Sequence, residues 1–159
     1  MQSYDFFCNF AAKIQKIMKK SVFLLLAILF CAVSASAKSL IYLSTEDFKK
    51  KVCYFDNSSQ PQWKYLGDKP CLIDFSTTWC GWCTKLHPIL EQVASIYDGD
   101  IYVYTLDAEK EPKLAALFGV SAYPTVVLCP MEGGPQIVSG YNPIDFWQEA
   151  ILQVFGIEK

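Results

Sequence analysis

The chain contains no arginine; all 14 of its basic residues are lysines. It therefore lacks the planar fork that grips phosphates and carboxylates through paired hydrogen bonds. His87 is the one histidine, so any metal centre that needs a histidine pair is excluded. No glycine-rich nicotinamide or flavin fingerprint is present, and no internal repeat or low-complexity tract occurs. The apolar run Val22–Val33 is 12 residues long, short of the roughly 20 needed to cross a bilayer. From residue 38 onward there are 10 lysines against 15 carboxylates, a net charge of −5. Such a balance argues against nucleic acid and anionic membranes as partners.

The first residues read as a leader. Met18-Lys19-Lys20-Ser21 is a short basic segment ahead of the apolar run, and Ala35-Ser36-Ala37 is the small-x-small pattern of a signal-peptidase site. Residues 1–37 are thus expected to be an upstream extension plus a secretory signal, cleaved after Ala37. A domain of 122 residues, 38–159, would remain without membrane insertion. The C-terminal Ile157-Glu158-Lys159 is not a Lys-Asp-Glu-Leu-type retention signal, which favours a periplasmic or secreted location over the endoplasmic reticulum lumen.

Of the seven cysteines, Cys53, Cys71, Cys80, Cys83 and Cys129 lie beyond the leader. Cys80-Gly81-Trp82-Cys83 holds two thiols on one helical turn, able to close into a disulfide and reopen. A permanent bridge and half a zinc site share this spacing. Cys53 and Cys71 are the candidates for a second bridge, and Cys129, in an apolar run, reads as a buried thiol. Zinc through Cys80, Cys83 and His87 would lack its second ligand pair, and no metal is expected.

Patterning around the motif is regular. Ser44 precedes Thr45-Glu46-Asp47 as a helix cap. Cys71–Ser76 is a nearly continuous apolar strand of the kind buried on both faces. Leu86, Ile89, Leu90, Val93 and Ile96 recur at helical spacing over 81–97, with a kink expected at Pro88. Further strands are predicted over 101–106, 125–129 and 136–139, and further helices over 111–118 and 143–155.

With Trp79 before the motif, an apolar strand ahead of it and Tyr123-Pro124-Thr125 about forty residues on, the chain resembles the thioredoxin family over residues 40–155. The resemblance implies an α/β thioredoxin fold, a central mixed sheet with helices on both faces. It implies a thiol–disulfide oxidoreductase needing no cofactor, with Cys80 attacking a substrate disulfide and Cys83 resolving the mixed disulfide. Asp74, an acid in an otherwise apolar strand, would lie beneath the pair and move the Cys83 proton; otherwise it turns to solvent at a strand end. The lysine that accompanies this acid in many thioredoxins falls near Val103, which would leave Asp74 without a charged partner. Pro124 is expected to be cis and, with Trp79, Gly81, Trp82 and Tyr123, to form the substrate groove. Trp82 replaces the usual proline, and Tyr123 an aliphatic residue. The insertion-free domain and Asp74 favour a reductase, recharged by a membrane-bound thiol donor and acting on disulfides of extracytoplasmic proteins. An oxidase, an isomerase or a non-catalytic binding module are the alternatives.

Overall fold

A computed structural model describes residues 39–53 and 63–159. The expected leader and its cleavage site, and the turn-rich stretch 56–61, lie outside the described residues. Nine elements follow one another along the described residues. They are β1 (Ile41–Tyr42), α1 (Thr45–Lys51), β2 (Cys71–Ser76), α2 (Gly81–Ile96), β3 (Tyr102–Asp107), α3 (Pro112–Leu117), β4 (Thr125–Cys129), β5 (Gln136–Ser139) and α4 (Ile144–Phe155).

The five strands form one mixed sheet in the order β1-β3-β2-β4-β5. β3 runs parallel to β1 and β2, while β4 runs antiparallel to β2 and β5. β2 is the central strand, and all six of its residues are buried, as suits a nearly continuous apolar strand covered on both faces. Strand alternation divides its side chains between two cores. Cys71, Ile73 and Phe75 pack with Phe48 of α1 and Leu114 of α3, while Leu72 packs on the other face with Leu86, Leu90 and Val93 of α2 and Trp147 and Ile151 of α4. Helices therefore cover both faces, each fully buried leucine or valine contributing roughly 1.5–3 kcal/mol.

Local chemistry sets the element ends. The Ser44 side chain accepts the Asp47 N–H at 3.2 Å, and α1 carries acids in its first turn and lysines in its last, matching its dipole. α2 passes through Pro88 without ending, although that ring removes one backbone donor from the ladder. α4 closes on Gly156 at φ +70°, a left-handed cap that suits glycine. β3 starts one residue later than the apolar pattern suggests, at Tyr102.

The candidate Cys53–Cys71 bridge is not formed. Cys71 lies opposite Cys129 in the β2–β4 register, and both are buried free thiols. Their mutual hydrogen bond, followed by burial, holds the Cys129 thiol well above its ordinary value. Cys53 instead pairs through its backbone with Tyr65 in an isolated bridge, so sheet pairing directs Cys71 towards a different partner.

Candidate active site

β2 delivers the chain to the motif, and the turn after Ser76 ends at Cys80, the N-cap of α2. Cys80 and Cys83 are joined, with S–S 2.13 Å and Cα–Cα 5.3 Å. The Cys83 backbone N–H donates to Cys80 Sγ at 3.1 Å. A helix N-terminus has backbone donors with no intrahelical acceptor and the positive end of the dipole, so negative charge on this sulfur is stabilised there. Cys83, one turn in, is the more deeply buried of the two.

Aromatic rings frame the disulfide. Trp79 and Trp82 are 68% and 56% exposed, an unusual display of indole surface beside a reactive bond. Trp79 donates through Nε1 to Glu109 at 3.0 Å and stands edge-on to Tyr123, ring centres 5.9 Å apart. Trp82 lies 5.7 Å from the Tyr141 ring and carries the Lys85 ammonium over its own ring, 4.3 Å from the centroid. The Tyr123–Pro124 peptide is cis. Trp82, Tyr123, Pro124, Gly140 and Tyr141 line a concavity of about 320 Å³. Gly140 takes φ +93° and donates its N–H to the Pro124 carbonyl at 2.8 Å, tying the loop after β5 to the proline turn. Tyr141 and Glu109 reach the motif only through tertiary packing, whereas Lys85 meets Trp82 at the local three-residue spacing of α2.

Asp74 is fully buried on the α2 face of β2 rather than turned to solvent. Its Oδ2 is hydrogen-bonded to His87 Nε2 at 3.0 Å and accepts the Thr105 hydroxyl at 3.1 Å. The residue facing Asp74 on β3 is Thr105, whereas Val103 faces Leu72. The expectation that Asp74 lacks a charged partner is corrected: β3 offers it only the uncharged Thr105, and the ionisable partner, His87, comes from α2. The signal was available, since His87 follows Cys83 by four residues and so shares its helix face. The hydrogen bond to Asp74 holds the His87 imidazolium above its ordinary value of 6.5, against the opposing effect of burial. Because the folded-state value is raised, the pair contributes stability below about pH 6.5 and loses it as pH climbs through the raised value. Among the described residues, no group of three or more histidine, cysteine or acidic side chains is arranged to hold a metal ion.

A closed Cys-x-x-Cys pair at the N-terminus of a sheet-packed helix, opposite a cis-proline turn, belongs to the thiol–disulfide oxidoreductases, and this chain is one of them. The thioredoxin family model matches residues 40–152. The chain is 36% identical over 116 residues to the thioredoxin of Borreliella burgdorferi, covering 73% of this chain and 97% of that protein. It is 35% identical over 79 residues to the thioredoxin of Alicyclobacillus acidocaldarius, covering 48% and 73%. Among solved structures, chloroplastic thioredoxin z aligns with a TM-score of 0.57 at 27% identity, covering 73% of this chain and 94% of the other. Malassezia sympodialis thioredoxin aligns with a TM-score of 0.57 at 25% identity, covering 74% and 91%. The chain belongs to the thioredoxin family.

Proposed function

We propose that this protein is an exported disulfide reductase whose Cys80 attacks disulfides of extracytoplasmic proteins and whose Cys83 resolves the mixed disulfide. The observation that carries the chemical part is the N-cap geometry of Cys80, with a backbone donor already on its sulfur. Asp74, buried on the same face as the helix bearing Cys83, serves as the acceptor for the Cys83 proton. The concavity beside Trp82 receives an extended substrate segment, with Tyr123, Pro124 and Tyr141 as its walls. The leader pattern supports action outside the cytoplasm, and the absence of any nicotinamide or flavin fingerprint supports recharging by a membrane-bound thiol donor.

Two measurements test this. Cys83→Ser, expressed as the full chain, is expected to accumulate mixed disulfides through Cys80 that dissolve on adding dithiothreitol. Absence of any trapped partner would defeat the enzyme reading in favour of a frozen binding module. The equilibrium of Cys80–Cys83 against glutathione is expected near the thioredoxin end of the family range, about −270 mV; a value near −120 mV would make the protein an oxidase. For the groove, Tyr141→Ala is expected to raise KM for a protein disulfide about 3–10-fold with kcat little changed, the pattern of lost uniform binding. An unchanged KM would remove Tyr141 from the substrate surface.

A further inference from the structure

Asp74 is a carboxylate sealed from solvent and touched by two part-exposed side chains, His87 and Thr105, of which only the imidazole takes up and releases a proton near neutral pH. Its Oδ2 is held by Thr105 and His87, and its Oδ1 has no partner among the described residues. His87 is 38% exposed, while Asp74 is at 0%. The imidazole thus spans from a fully buried acid to water. Strand alternation puts Asp74 under α2, and the four-residue step from Cys83 puts His87 on the helix face turned to the same side. Among the described residues, the charged groups acting on the ring are Asp74 from β2 and Glu91 from the next turn of α2; β3 contributes the uncharged Thr105 hydroxyl, on the same carboxylate oxygen. A merely structural histidine has no need of an exposed edge, and a buried acid that must be emptied once per turnover needs an exit.

We infer that His87 is the solvent end of the proton path from Cys83, taking the proton from Asp74 and releasing it to water. The inference rests on the reading above that Asp74 accepts the Cys83 proton. In resolution, the Cys83 S–H proton passes to the Asp74 carboxylate, and the Cys83 thiolate attacks Cys80 Sγ of the mixed disulfide. The Cys80–Cys83 bond forms as the bond from Cys80 to the substrate sulfur breaks, and the substrate leaves as a thiolate carrying the electron pair. The Asp74 proton then moves to Nε2 of neutral His87, which restores the carboxylate, and the imidazolium gives a proton to water, which restores the neutral ring. Two cysteine thiols have been oxidised and one substrate disulfide reduced, with no further reagent. While the ring remains protonated it cannot accept, so resolution quickens as pH rises through the titration of His87.

The test is single-turnover resolution of a preformed mixed disulfide between Cys80 and a small thiol, followed from pH 5 to 9. His87→Gln keeps a donor for Asp74 but cannot relay a proton. It is expected to slow resolution on the order of 10-fold and to erase the rising limb assigned to the histidine. In His87→Ala, added imidazole is expected to restore the rate, while leaving the unaltered protein unchanged. An unaltered rate and pH profile in His87→Gln, or a slow His87→Ala that imidazole does not rescue, would overturn the inference. Asp74→Asn separates it from the underlying reading. Slow resolution in Asp74→Asn beside a normal His87→Gln removes only His87 from the path, whereas normal resolution in Asp74→Asn removes Asp74 itself.

Discussion

Cys80→Ser is expected to abolish disulfide exchange, with a fall on the order of 10⁵–10⁶-fold, the scale that follows loss of a nucleophile acting in concert with its partners. The reason is chemical rather than architectural. Serine is among the best N-cap residues, and its oxygen can accept the Cys83 N–H that Cys80 Sγ now accepts at 3.1 Å. α2 therefore keeps its start, and the groove walls keep their places. What is lost is a polarisable anion at the helix terminus, because a hydroxyl there stays protonated near neutral pH. Reduction of insulin disulfides gives the activity, and thermal melting measured against the dithiol form of the unaltered protein gives the control. Residual turnover above a thousandth would mean that Cys83 or another thiol can start the reaction, and the order of attack would have to be reversed.

Trp147→Ala is expected to produce the largest loss of stability available from one substitution, roughly 3–5 kcal/mol. The side chain is fully buried in the core between α2 and α4, and it meets Phe146 edge-on with ring centres 5.3 Å apart. Deleting it leaves a large void against Leu86 and Leu90, the residues that seat α2 on the sheet. It also strands the Asn142 carbonyl, to which the indole Nε1 donates at 3.1 Å. Asn142 follows Tyr141 and Gly140, so the loss loosens a wall of the concavity beside Trp82 as well as the core. Melting temperature should fall on the order of 10–20 °C. Trp147→Phe, which refills much of the void but not the hydrogen bond, should recover more than half of that. If alanine costs under 1 kcal/mol, α4 is not the brace of α2 that the packing makes it.

Much of this was legible in the residues because it is local. The strand Cys71–Ser76, the helix begun by Cys80, the Ser44 cap and the Thr125–Cys129 and Gln136–Ser139 hairpin all follow from short-range period, caps and glycine breaks. Their bounds moved by only a residue or so. What escaped depends on register between distant strands or on which helix face meets which strand. The Cys71–Cys129 juxtaposition is a fact of β2–β4 pairing, and no spacing rule contains it. Which β3 residue stands beside Asp74 is set by the hydrogen-bond ladder, and that ladder places the uncharged Thr105 there. From the sequence His87 reads only as an insufficient zinc ligand, because its bond to Asp74 requires α2 to lie across β2 at one particular height.

The inner thiols have a consequence for capacity. Cys71 and Cys129 are walled off on the α1 and α3 side of the sheet, while the reactive pair opens on the sheet's far end by way of α2. Buried thiols of this kind are inert towards reagents that find an ionised one. Exchange in the folded molecule therefore runs through one thiol pair, Cys80 and Cys83, and the sulfurs sealed on the other side of the sheet add nothing to its capacity.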